Sequence, residues 1–332
     1  MKRLVAALFA LIVCGSTLAD SEASYAARPE VRAFIRDMVE RHGFVESELI
    51  LLFSRAQRQE AVLRSIQAQP ERSRSWEEYR ANFLTDARIR AGLEFWRTHR
   101  PALERAASEF GVPEEVIVAI LGVETFYGRR TGQWKVVDSL VTLAFDFPPR
   151  SGFFRTELES FLLLARQAGM DVFSVQGSYA GAIGIPQFMP RSYLNYAIDF
   201  DGDGSVDLRA NPVDAIGSVA NFLKQHGWRA GEPIQVAAKV NNSEMGPFVD
   251  GNVRPRHTLT ELAKAGIGVR GVTPPGQDDA PAALVELSTP RRPSEYRLGF
   301  HNFYVLTRYN RSILYASAVS DLANALLESQ PE

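Results

Sequence analysis

The sequence predicts a mainly α-helical α+β protein, a helical body that carries one small antiparallel β-rich insertion. Three observations lead there. Between residues 29 and 226, apolar side chains recur at helical spacing, with Gly and Pro at the breaks. After Gly231 short strand-like runs alternate with turn-rich segments such as residues 273–279. Helical spacing then returns over residues 312–327.

At the N-terminus, Lys2 and Arg3 precede an apolar run over residues 4–13, and small residues follow to Ala19. That order is a secretory signal, with cleavage before Asp20. A lipoprotein would instead be cut before Cys14 and acylated there, but the bulk of Val13 favours a soluble export product. Cys14 is the single cysteine, so the processed chain has no disulfide framework and no thiol chemistry.

Residues 29–69 read as helices with Val31, Phe34, Ile35, Met38 and Val39 on one face and a break at Gly43. The polar stretch 69–75 reads as a linker, and residues 76–99 as one long helix. Residues 101–110 continue helically to Gly111, and Pro113 opens the next helix, which Gly128 stops. A short apolar segment, 138–145, ends in the break at 147–150, and residues 153–168 form another helix. The stretch 177–190 is too rich in glycine for a regular element. Asn211 and Pro212 start a helix that runs to about His226. Residues 234–240, 283–287 and 303–306 read as strands, interrupted by a helix over 258–265. The expected organisation is a signal over 1–19, a helical region over 20–78, a core over 79–228, the β-rich part over 229–300 and a return to the helical core over 301–332.

With 332 residues, 45% hydrophobic and 23% charged, the chain can bury a sizeable core. A net charge of −2 argues against nucleic acid as a partner. No run approaches the roughly 20 apolar residues of a membrane span. The five histidines are scattered, without a zinc pair, and no Gly-x-Ser-x-Gly nucleophile elbow occurs.

Glu124 is the outstanding chemical candidate. Ile117, Ile120 and Leu121 lie one or two helical turns before it, so it falls on the apolar stripe of its helix. It also falls in the last turn, where the helix dipole disfavours a negative charge. Both effects suit a general acid working near neutral pH. A solvent-facing acid or a buried ion-pair partner are the alternatives. Asp199, Asp201 and Asp203 followed by Gly204 match the first half of an EF-hand loop, with Ser205 supplying a backbone carbonyl. Ala210 stands where that loop needs its closing glutamate, and Asp214 is the substitute expected in a longer loop over 199–214. Ser178, Tyr179 and Gln187 lie in the glycine-rich stretch, and Tyr309, Asn310 and Tyr315 cluster farther on.

Together these blocks identify a resemblance. Residues 111–125 (GVPEEVIVAILGVET), 177–190 (GSYAGAIGIPQFMP), 214–222 (DAIGSVANF) and 302–310 (NFYVLTRYN), in that order, resemble the lytic murein transglycosylase B family. The likeness runs over about residues 79–327. It implies a goose-type lysozyme-like helical core flanked by a helical domain and a small β domain, acting on peptidoglycan glycan strands in the periplasm. It also implies a catalytic acid at Glu124 surrounded by Ser178, Gln187, Tyr309, Asn310 and Tyr315. Tyr79 and Arg150 match saccharide-contacting positions, although Pro149 stands where the family has the first of two arginines. The loop with Asp199, Asp201, Asp203, Ser205 and Asp214 is expected to hold a structural Ca²⁺, with no organic cofactor. The implied reaction cleaves the β-1,4 MurNAc–GlcNAc bond and leaves a 1,6-anhydro sugar. Rival readings are a lysozyme-type hydrolase and an inactive calcium-dependent wall-binding protein. A monomer is expected, with cell-wall synthesis or remodelling proteins as candidate partners.

Overall fold

The computed structural model describes residues 24–68, 74–241, 248–249, 251 and 253–330. The signal segment, Cys14 and most of the linker stretch 69–75 lie outside the described residues. Chain contacts divide the protein into two compact units, one up to Ala56 and one from Gln57 onward. This boundary comes earlier than the expected one at residue 78.

In the first unit a 3₁₀ turn, Tyr25–Ala27, leads into α1, Pro29–His42, and α2, Glu46–Arg55. Pro29 opens α1, where a missing N–H costs nothing. Gly43 closes it in the left-handed conformation at φ 65°, its N–H bonded to the last turn. Val31, Phe34, Ile35 and Met38 are buried, as their spacing requires, and Phe34 meets Phe53 of α2 edge-on at 5.9 Å.

The second unit opens with α3, Glu60–Ala68. The helix expected over 76–99 is two helices, α4, Trp76–Ala81, and α5, Asp86–Thr98. Ser75 and Glu78 form a capping box at the start of α4, and the Thr85 side chain caps α5 by accepting from the Arg88 N–H. A second N-cap inside the run is what breaks it. Next come α6, Arg100–Phe110, and α7, Glu114–Thr125, with Pro113 as the N-cap of α7 and so just outside it. Then α8, Val136–Asp146, packs against α9, Ser151–Gln167. A two-residue ladder pairs β1, Trp134–Lys135, with β2, Gln176–Gly177. The short helix α10, Pro190–Tyr196, and the capped helix α11, Pro212–Gln225, follow.

Beyond them an antiparallel five-stranded sheet gathers β3 (Gln235–Val240), β4 (His257–Thr258), β5 (Ile267–Val269), β6 (Pro281–Leu287) and β7 (Glu295–Gly299). Its strand order is β4-β6-β7-β3-β5. The helix α12, Leu259–Lys264, covers one face, burying Leu259 and Leu262 with Ile267, Leu284, Leu298 and Phe300. Residues 303–306, expected as a strand, belong instead to α13, His301–Tyr309. The chain ends in α14, Ile313–Glu328.

Polar bonds fasten the sheet to the helical body. Trp76 Nε1 donates to Glu295 at 3.0 Å, and Arg297 of β7 grips Asp321 of α14 with two bonds of 2.5 and 3.0 Å. Such a bidentate pair, with both side chains little exposed, fixes orientation as well as distance.

Candidate functional site

The site is built on α7. Every residue from Val116 to Val123 is buried, so the helix is apolar all round and carries no single stripe. Such a helix must be enclosed on all sides, and α5, α6, α11 and α14 all pack on it. Glu124 comes directly after this buried run and is half-buried, in the last turn.

The backbone turns sharply just beyond Glu124. Phe126 and Tyr127 have φ of 53° and 60°, a left-handed conformation that bulky side chains rarely adopt. Local bonds hold it. Thr125, 1% exposed, accepts from the Gly128 N–H at 2.9 Å and donates to the Ile185 carbonyl at 2.7 Å. The Tyr127 hydroxyl donates to the Arg88 carbonyl at 3.1 Å. Its ring lies so close to α5 and α7 that a Cβ on Gly92 or Gly122 would sit 2.4 or 2.6 Å from the hydroxyl. Strain of this kind clusters where a side chain must be aimed.

The glycine-rich segment forms the facing wall. Ser178 accepts the Ala182 N–H at 3.0 Å through its hydroxyl and folds the loop on itself. Gln187, also left-handed at φ 52°, donates from its side-chain amide to the carbonyls of Gly184 at 2.9 Å and Thr131 at 3.0 Å. The Tyr309 hydroxyl, at the end of α13, donates to the Pro186 carbonyl at 2.6 Å. Thr125, Gln187 and Tyr309 therefore tie this one loop to the end of α7, to the segment just past it, and to α13.

Two tyrosines stand beside Glu124. Burial first, and then the charge of Glu124, raises both the Tyr309 and the Tyr315 hydroxyl well above the ordinary tyrosine range. Among the described residues, Glu124 is the only carboxylate whose charge reaches either hydroxyl. The two rings lie nearly parallel, 10° apart, with centres separated by 6.3 Å. The Tyr315 hydroxyl is enclosed and adjoins the Glu124 carboxylate without the geometry of a well-formed hydrogen bond. Tyr79 lies behind it, 1% exposed and 5.1 Å from the Phe83 ring. Asn310 is half-buried and caps α13. Arg150 stands exposed on a 3₁₀ turn, its guanidinium 4.5 Å from the Phe153 ring.

Sequence reasoning passed over Thr125 and Tyr127. Their positions next to Glu124 were visible, but no pattern in the sequence signals left-handed phenylalanine and tyrosine.

Away from Glu124, Asp199, Asp201 and Asp203 converge, each offering a carboxylate oxygen within 4.8 Å of the others. Hard oxygen donors so grouped fit a calcium ion. The loop also bonds to itself, since Asp199 accepts the N–H groups of Gly202, Asp203 and Gly204. Ser205 is exposed, and its N–H donates to Asp203 at 2.8 Å. Asp214 departs from expectation. It is fully buried, and its two oxygens accept the N–H groups of Phe200 and Asp207, each at 2.8 Å. With both oxygens directed at backbone amides, it braces the loop from behind and stands outside the cluster. Burial raises its pKa more than these bonds lower it.

Comparison with known proteins places this geometry. A sequence-family model described as transglycosylase SLT domain matches residues 26–324. Membrane-bound lytic murein transglycosylase B of Escherichia coli K12 is 40% identical over 313 residues, covering 91% of this chain and 84% of that protein. The crystal structure of soluble lytic transglycosylase SltB1 from Pseudomonas aeruginosa gives a TM-score of 0.83 at 46% identity, covering 91% of this chain and 99% of that one. The Escherichia coli lytic transglycosylase Slt35 in complex with calcium gives 0.82 at 40% identity, covering 92% and 95%.

Proposed function

Because the chain belongs to the transglycosylase SLT domain family and is a peptidoglycan lytic transglycosylase, we propose that Glu124 is its single acid and base. The reading rests on one observation: among the described residues, Glu124 is the one carboxylate that bears on the Tyr309 and Tyr315 hydroxyls, at the end of the enclosed helix α7. A retaining hydrolase needs a second carboxylate about 5 Å away, and an inverting one needs it at about 6.5–9.5 Å with water between. One acid calls for help from the substrate itself.

In this mechanism the protonated Glu124 gives its proton to the glycosidic oxygen between MurNAc and GlcNAc, and that C–O bond breaks. The oxygen of the MurNAc N-acetyl group stabilises the positive anomeric carbon. Glu124, now ionised, removes the proton from the MurNAc 6-hydroxyl, whose oxygen closes on that carbon. The product is a 1,6-anhydro ring, no water is consumed, and Glu124 is protonated again.

The other residues position these partners. Tyr315 borders the carboxylate and limits where it can swing. Ser178 accepts a backbone N–H, which leaves its hydroxyl proton for the acetamido oxygen. The Gln187 amide nitrogen serves the backbone, and its carbonyl oxygen remains for the sugar. Tyr309 and Asn310 border the saccharide groove, Tyr79 backs Tyr315, and Arg150 takes a more distant part of the glycan. Asp199, Asp201 and Asp203, with the Ser205 carbonyl, would hold calcium, which stiffens the loop ahead of α11 and takes no part in proton transfer. The positively charged, apolar residues 1–19 support export to the periplasm; no helix among the described residues is long and apolar enough to cross a membrane.

Glu124→Gln keeps size and loses the proton. It should abolish release of anhydro-muropeptides from sacculi while melting as the wild type does. Retained release would reject the assignment.

A further inference from the structure

Arg88, in the first turn of α5, is only 8% exposed. Its guanidinium carbon lies 4.9 Å from the centre of the Phe83 ring and 5.0 Å from that of Phe126. One terminal nitrogen donates to the carbonyl of Asn82, the C-cap of α4, at 2.8 Å, and the enclosed Nε has no hydrogen-bond partner. Burial above all lowers the Arg88 pKa; Tyr127 opposes that shift and the charge of Arg130 adds to it. Among the described residues no carboxylate forms an ion pair with it. Packing alone does not account for a guanidinium here, since a methionine would fill much the same space without taking a charge out of water. What methionine would lack is a planar cation over two aromatic rings and a donor aimed at the end of a helix.

These contacts close a circuit around Glu124. On one side, Phe126 follows Glu124 by two residues in the left-handed turn, and the Arg88 carbonyl accepts the hydroxyl of its neighbour Tyr127 at 3.1 Å. On the other side, the Phe83 ring meets that of Tyr79 at 5.1 Å, Tyr79 stands near the Tyr315 hydroxyl, and Tyr315 adjoins the Glu124 carboxylate. Arg88 joins the two sides through its own side chain. Arg129 and Arg130 also approach the Phe126 ring, at 5.4 and 5.6 Å, but both are exposed and free to move with solvent.

We propose that Arg88 is a positioning residue for this reaction, one that acts through Phe126 and Phe83 to hold the Glu124 carboxylate in register with Tyr315. The inference rests on the reading of Glu124 as the acid and adds the group that aims it from the far side of the turn. Arg88 touches no substrate in this scheme, so its loss slows the chemical step and leaves glycan binding nearly unchanged.

The test measures kcat and KM on soluble glycan strands for Arg88→Met, Arg88→Lys, Phe126→Leu and the Arg88→Met/Phe126→Leu double variant, at a temperature where melting curves show each of them folded. Arg88→Met should lower kcat about tenfold and move KM by no more than about twofold. Arg88→Lys keeps the cation and a donor and should lose only about threefold in kcat, although a buried ammonium makes it the less stable of the two. A kcat that follows Tm across these variants, an unchanged kcat in Arg88→Met, or a loss carried by KM overturns the proposal. Because Arg88 acts through Phe126, the double variant should be no slower than the slower single one, and losses that multiply overturn it. Should Arg88→Met fail to fold, the same cycle is run with Arg88→Lys, and wild-type kcat in Phe126→Leu overturns the proposal. Should Glu124→Gln prove active, the acid assignment fails, while the cycle still reads whether Arg88 and Phe126 act together.

Discussion

Thr125→Val tests how Glu124 is aimed. The substitution keeps volume and shape and removes one hydroxyl. That hydroxyl accepts from the Gly128 N–H at 2.9 Å and donates to the Ile185 carbonyl at 2.7 Å. Ile185 is 4% exposed, so its carbonyl cannot be rehydrated without opening the loop. Leaving one buried backbone group unsatisfied costs about 1–3 kcal/mol. Gly128 is half-buried, and its N–H can recover part of the loss from water. The sum is about 2–4 kcal/mol, or roughly 4–8 °C in Tm for a unit of this size. The same bonds hold Phe126 and Tyr127 left-handed right after Glu124, so the end of α7 loosens as well. Displacement of a reacting group by about 1 Å can cost a hundredfold in rate, and a loss of at least tenfold in kcat is expected. The assays are thermal melting and release of soluble fragments from sacculi, with Thr125→Ser, which keeps the oxygen, as the control. A valine variant that melts within about 1 °C of wild type, or a serine variant as damaged as valine, would refute the reasoning.

Three further outcomes are expected from the structure. Tyr315→Phe removes an enclosed hydroxyl that has no well-formed bond; it should leave Tm unchanged or raise stability by about 1 kcal/mol while slowing turnover, which parallel melting and kinetics would show. Burial, more than the Arg191 N–H bond, sets the Glu157 pKa and raises it above the usual carboxylate range. The folded state therefore holds this proton more tightly than the unfolded chain. Its contribution to stability is fully present below the unfolded pKa and lost as pH rises through the folded one, so Glu157→Gln should raise the neutral-pH Tm and flatten that slope in a pH series. Chelation should destabilise protein saturated with calcium, by about 2.7 kcal/mol if the ion is at a hundredfold its Kd, and lower its Tm accordingly. Asp199→Asn should erase that shift, whereas Asp214→Asn should destabilise the protein with or without the ion, as differential scanning fluorimetry would reveal.

Much of this arrangement was legible in the sequence, and the exceptions have physical causes. The helix bearing Glu124 was readable because Pro113, Glu114 and Glu115 mark its start and an unbroken apolar run fills it. Its central place was hidden, since a stripe and an all-round apolar surface look alike over so few turns. Residues 303–306 are a short apolar run that periodicity alone assigns to strand or helix equally well, and packing made them helix. The break between α4 and α5 did have a signal, Thr85 before Asp86, but the aromatic spacing on either side masked it. Spacing grouped Asp214 with the other aspartates, although both its oxygens face backbone amides. Ser178, Gln187 and Tyr309 stood out by residue type, but the bonds tying their loop to Glu124's helix join residues distant in sequence.

The most direct test of a single carboxylate at work is digestion of sacculi in ¹⁸O-labelled water followed by mass spectrometry. Products one water lighter than hydrolysis would give, free of label and absent with Glu124→Gln, are the predicted result. Label at the MurNAc reducing end, or anhydro products from the glutamine variant, would contradict it.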